Sequence, residues 1–90
     1  MPKIRLNLLN IFTLQTGKKT LEYEGNTVGE VIKKFVEDYK SKLDENLLNK
    51  SKTKLSQDIL ILLNGKQERN SKTKLKEADQ IYISYPLSGG

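Results

Sequence analysis

The sequence predicts an α+β fold, a mixed sheet of four to five strands covered on one face by one main amphipathic helix. Three patterns predict it. Near the N-terminus Ile4, Leu6 and Leu8 alternate with Arg5, Asn7 and Leu9, the period of a half-buried strand. In the middle Val28, Val31, Ile32, Phe35, Val36, Tyr39 and Leu43 recur at spacings of three and four, the apolar stripe of a helix that packs on a sheet. Near the end Ile81, Ile83 and Tyr85 alternate with Tyr82 and Ser84, a last strand running straight into Pro86.

The elements follow in order. After the first strand, Thr16, Gly17, Lys18 and Lys19 read as a turn, and Leu21 and Tyr23 alternate with Glu22 and Glu24 as a short second strand, giving an antiparallel hairpin. Thr27 and Glu30 have the spacing of a capping box, so the helix opens at Thr27. From Asp44 to Asp58 the chain is polar and lysine-rich, a loop anchored by Leu47, Leu48 and Leu55 with room for one helical turn. The run Ile59 to Leu63 is a strand closed by Asn64-Gly65, a pair that supplies positive φ, and a weak edge strand follows towards Asn70.

Ninety residues make one small domain, burying about 60–65% of the surface its unfolded chain exposes. The central places in the sheet go to the first and last strands, which are then parallel and bury their Ile and Leu side chains under the helix, while shorter strands take the edges. This is the β-grasp arrangement. It assigns residues 1–86 to the domain and residues 87–90, Leu-Ser-Gly-Gly, to a flexible tail.

Composition narrows the function. With no Cys and no His, the chain lacks a thiolate nucleophile, the commonest general base and the commonest metal ligand, so catalysis of its own and a metal site are not expected. No apolar run approaches the ~20 residues of a membrane span and no signal peptide is evident, so a cytoplasmic protein is expected. The net charge of +5 is concentrated between residues 50 and 76, where Lys50, Lys52, Lys54, Lys66, Arg69, Lys72, Lys74 and Lys76 face only Asp58 and Glu68. Such a surface could meet an acidic partner or RNA, but no stacking pair of aromatics lies beside it, which disfavours nucleic acid. The five-residue repeat Ser-Lys-Thr-Lys-Leu at 51–55 and 71–75 is loop composition, not repeat architecture.

The motifs "LLNGKQ" (62–67), "LKEADQIYIS" (75–84) and "PLSGG" (86–90), following "NTVGEVIKKF", resemble the ubiquitin-like sulfur carriers, in particular the small subunit of molybdopterin synthase, the MoaD family, together with the archaeal small modifier proteins. The resemblance runs from Lys3 to the last residue. Three departures stand out: Ala78 occupies a position where the family usually has glycine, Ser84-Tyr85-Pro86 replaces an aromatic followed by two prolines, and the 44–58 segment is long.

The resemblance implies that Gly90 is adenylated by a partner adenylyltransferase of the ubiquitin-activating type, which uses ATP, and that no cofactor is bound stably by the chain itself. Gly89 and Gly90 would be the reactive arm, Leu87 and Ser88 its lead-in, and Pro86 a fixed-φ residue that stops the strand. The acyl-adenylate can then take sulfur and become a thiocarboxylate for the large subunit of molybdopterin synthase, or meet the lysine of a target protein and form an isopeptide bond. Strand parity places Leu9 and Tyr82 opposite Leu8 and Ile81, and Leu62 is expected to join them in an apolar docking patch.

Overall fold

The computed structural model describes residues 1–86. The tail residues Leu87, Ser88, Gly89 and Gly90 lie outside the described residues, and so do the expectations placed on them. The order of elements is β1 (Lys3–Leu8), α1 (Ile11–Thr16), β2 (Thr20–Glu24), α2 (Val28–Tyr39), a 3₁₀ turn (Glu45–Leu47), β3 (Leu60–Leu63), β4 (Lys66–Gln67) and β5 (Gln80–Ser84). The five strands form one sheet in the order β2-β1-β5-β3-β4. As the alternation predicted, β1 and β5 sit side by side in parallel at its centre, with Leu6 opposite Ile81 and Leu8 opposite Ile83. The fold is the β-grasp.

Strand periodicity determines which residues meet α2. Ile4, Leu6, Leu8, Ile81 and Ile83 are buried, and against them pack Val28, Val31, Ile32, Phe35 and Val36 from the helix. Phe35 lies between Phe12 and Tyr39, its ring centroid 6.4 Å from the first and 5.4 Å from the second, separations at which tilted aromatic pairs attract. The helix starts where the capping box puts it: the Thr27 hydroxyl accepts from the Glu30 amide at 3.2 Å. The Glu30 carboxylate, however, accepts from the Asn26 amide at 2.8 Å, one residue before the cap. The regular helix ends at Tyr39, yet Leu43 is buried because the turn beyond it, with the Leu43 amide donating to the Tyr39 carbonyl, keeps the helical spacing.

Four expectations need correction. The first two strands are antiparallel as predicted, with Lys3 opposite Glu24 and Asn7 opposite Thr20, but they are not joined by a simple turn. The helix α1 intervenes, capped by Asn10 at its start and by Gly17 at φ 74° at its end. Six residues are too few to show helical periodicity, which is why alternation alone passed over it. The third strand begins at Leu60 rather than Ile59, and the edge strand covers only Lys66–Gln67 rather than reaching Asn70. The last strand ends at Ser84, not Tyr85.

Two turns carry left-handed backbone. Asn64 and Gly65 have φ of 51° and 89°, the tight hairpin turn expected of that pair. Ala78, in the glycine position of the resembling family, has φ 69°. Its amide donates to the Lys3 carbonyl at 2.9 Å, while the Asp79 carboxylate accepts from the Lys76 amide at 2.8 Å and the Asn64 side chain at 3.0 Å. These bonds hold an alanine in a conformation that glycine adopts more readily.

Candidate functional site: the outer sheet face and the end of β5

With the inward residues committed to the core, their neighbours in β1, β5 and β3 point to the other side of the sheet. The register there is continuous. Thr20, Asn7, Tyr82, Leu62 and Gln67 are successive cross-strand partners on β2, β1, β5, β3 and β4. This pairing resolves the parity of the "ILILL" strand: Ile61 and Leu63 pack against the core, and Leu62 shares the outer face with Tyr82. Leu62 and Tyr82 line one shallow hollow with Asn64, Gly65 and Gln80.

Of the three residues expected in a docking patch, the structure therefore brings Leu62 and Tyr82 together. Leu9 stands apart from that pair. It follows β1, its amide donates to the Ile83 carbonyl at 3.1 Å, and its side chain is 40% exposed near the end of β5. Tyr85 at the same end is 41% exposed, and Leu14 on α1 is 83% exposed. Leu14 has no place in the strand alternation, so sequence reasoning missed it.

The other residue missed is Asn10. Its side-chain amide donates to the Ser84 hydroxyl at 2.9 Å and the Tyr85 carbonyl at 3.0 Å, and its oxygen accepts from the Tyr85 amide at 3.1 Å. The same oxygen accepts from the Ile11 amide at 2.9 Å. Asn10 and Gly17 bracket a short helix in the sequence, and that bracket was the available signal.

The basic residues between 50 and 76 are all exposed. Lys54, Arg69 and Lys72 border a groove of about 590 Å³ between the start of α2 and the 54–59 and 67–72 segments, on the helix side of the sheet. Glu68 shares that lining, and no aromatic side chain contributes to it. The first amides of α2 are already engaged, Val28 with the Thr73 carbonyl and Gly29 with the Ser71 carbonyl, so they do not face an open anion site. Among the described residues no cluster of metal-ligating side chains occurs, and no helix is long and apolar enough to cross a membrane.

Residues 9–90 match the model of a known family. The chain belongs to the ThiS family. No curated protein sequence matches it. Among solved structures it is similar to small archaeal modifier protein 1 of Methanosarcina acetivorans, at 28% identity over 100% of this chain and 98% of that one, with a TM-score of 0.84. It is also similar to the modifier protein 1 of Haloferax volcanii, at 20% identity over 98% and 99% of the two chains and a TM-score of 0.81. A third likeness is to the BexX/CysO complex of Amycolatopsis orientalis, at 22% identity over 97% and 99% of the chains and a TM-score of 0.73. This ThiS-family chain is thus a ubiquitin-like β-grasp protein of the carrier and modifier type.

Proposed function

We propose that this ThiS-family chain is a sulfur carrier whose Gly90 carboxylate is activated by a ubiquitin-activating-type adenylyltransferase and converted to a thiocarboxylate, with molybdopterin cofactor biosynthesis as the destination of the sulfur. The observation that carries the reading is the course of β5. A strand held on both sides at the centre of the sheet leads directly to Tyr85 and Pro86, next to the sequence Leu-Ser-Gly-Gly, and shares its outer face with Leu62.

The chemistry asks little of this chain. A Gly90 carboxylate oxygen attacks the α-phosphorus of ATP, an O–P bond forms, and pyrophosphate leaves. A hydrosulfide delivered by a partner then attacks the acyl carbon, the C–S bond forms, and AMP leaves with the C–O electron pair. Residues without side chains suit a narrow channel around the nucleotide, since a backbone can approach closely only where no Cβ intervenes. The groups that move protons belong to the partners, in keeping with a sequence free of His and Cys.

A second reading has its own support. The 28% identity to a small archaeal modifier protein, over the full chain, favours attachment of Gly90 to target lysines, in which the amine nitrogen replaces AMP. RNA binding through the basic face ranks third, because the groove there offers phosphate contacts without aromatic stacking. Intact-mass spectrometry of the protein from its native cells, with an immunoblot for larger adducts, separates these. A chain ending in a Gly90 thiocarboxylate supports the sulfur carrier, lysine-linked conjugates support the modifier, and neither form removes both.

A further inference from the structure

Asn10 is one of four described residues with a Cβ held at positive φ. At φ 43° and ψ −122° it occupies a region that glycine enters freely and that a residue with a Cβ rarely adopts. Capping α1 does not require asparagine there, since the cap uses only the oxygen, towards the Ile11 amide. The side-chain nitrogen is turned the other way, onto Ser84 and the Tyr85 carbonyl, while the oxygen also takes the Tyr85 amide. The carboxamide therefore pairs with both backbone groups of Tyr85 as a neighbouring strand would. It extends the sheet one residue beyond the end of β5 at Ser84.

We infer that Asn10 is a positioning residue for the reactive tail: by fixing Tyr85, it sets the direction in which Pro86 leaves the sheet. The inference rests on the reading of Gly90 as the activated group. Pro86 follows Tyr85 directly and stands four residues before that carboxylate in the sequence. The pairing of β5 with β1 reaches only to Ile83 and that with β3 only to Ser84, so neither strand holds Tyr85. Holding the base of the arm lowers the freedom that must be lost when its end enters a channel, and misplacement by about 1 Å can cost a hundredfold in rate. A glycine would accept the backbone angles more easily but could not clamp Tyr85, which is why a side chain here points to a role beyond folding.

Two substitutions test this. Asn10→Gly keeps the backbone angles and removes the clamp, and Asn10→Asp keeps the oxygen for Ile11 but sets a carboxylate against the Tyr85 carbonyl. The first readout needs no partner: hydrogen exchange of the Tyr85 amide, with the melting temperature measured alongside. Protection of that amide in the natural chain, lost in folded Asn10→Gly, is the expected result, whereas Asn10→Asp keeps the oxygen that accepts from it and loses only the bonds made by the side-chain nitrogen. The second readout is ATP–pyrophosphate exchange by the organism's own ubiquitin-activating-type adenylyltransferase, with the full chain as substrate. There kcat is expected to fall about tenfold while KM stays within about twofold, because docking residues are untouched.

Adenylation of the natural chain together with unchanged kcat in both variants overturns the positioning role and leaves the carrier reading standing. Absence of adenylation in the natural chain overturns the carrier reading itself, and the positioning role with it. If Asn10→Gly melts early, Asn10→Asp decides by the kcat readout. A merely structural residue would lower the melting temperature without dividing kcat from KM.

Discussion

Leu62 and Tyr82 are direct cross-strand partners on the outer face of the sheet, between β3 and β5, with Gln67 and Asn7 continuing the same row on either side. Their neighbours Ile61, Leu63, Ile81 and Ile83 point the opposite way, into the helix-covered core. One pair of strands thus supplies both buried core residues and an apolar spot on the outer face of the sheet. Substituting Leu62 with Asp or Tyr82 with Ala is expected to weaken binding to the activating enzyme by about 1–2 kcal/mol, roughly a five- to thirtyfold rise in Kd. Titration of the full chain against that enzyme measures it, and an unchanged Kd in both variants would remove the patch.

Deletion of Gly89 and Gly90 should leave the melting temperature within about 2 °C, since among the described residues the buried core ends at Ile83. The same deletion should abolish thiocarboxylate formation and conjugation alike. A domain that unfolds on deletion would show that these glycines serve the fold instead.

Ala78 holds φ 69° in the turn that leads into β5. Left-handed backbone costs a residue with a Cβ about 1–2 kcal/mol, and glycine returns part of that gain through its freer unfolded state. Ala78→Gly should therefore stabilise the protein by about 0.5–1 kcal/mol in denaturant unfolding. A destabilised variant would mean that the turn relaxes without strain.

Gly29 allows α2 to lie against the 71–75 segment. A Cβ at that position would come within 3.0 Å of both the Ser71 Cβ and the Ser71 carbonyl oxygen, and that carbonyl already accepts from the Gly29 amide at 2.8 Å. Gly29→Val should cost about 1–3 kcal/mol, as overpacking generally does, with chemical denaturation as the readout. Equal stability would show that the segment moves aside freely.

Burial, followed by the hydrogen bond from the Tyr23 hydroxyl to Asp38 Oδ2 at 2.9 Å, pushes the phenol well above its ordinary value of 10.0. The folded state therefore keeps a proton that the unfolded chain releases above about pH 10. Its contribution is present in full below that pH and is lost as pH rises towards the folded value. Tyr23→Phe should lower stability at pH 7 by about 0.5–1.5 kcal/mol and flatten the decline between pH 10 and 11.5. Parallel alkaline slopes in the two proteins would contradict the linkage.

The sequence by itself determined the elements whose side chains repeat: β1, α2 and β5 each carry enough apolar residues at one period to declare which face is buried. It also placed the Asn64-Gly65 turn and the helix cap at Thr27, because those conformations are set by the residues that adopt them. Leu62 was ambiguous for the same reason, since a continuous apolar run has no period, and only pairing with Tyr82 assigned it to the outer face. The tertiary structure alone revealed the role of Asn10. Its partners Ser84 and Tyr85 lie more than seventy residues away, and no local pattern records a contact that exists only once β1 and β5 are parallel neighbours.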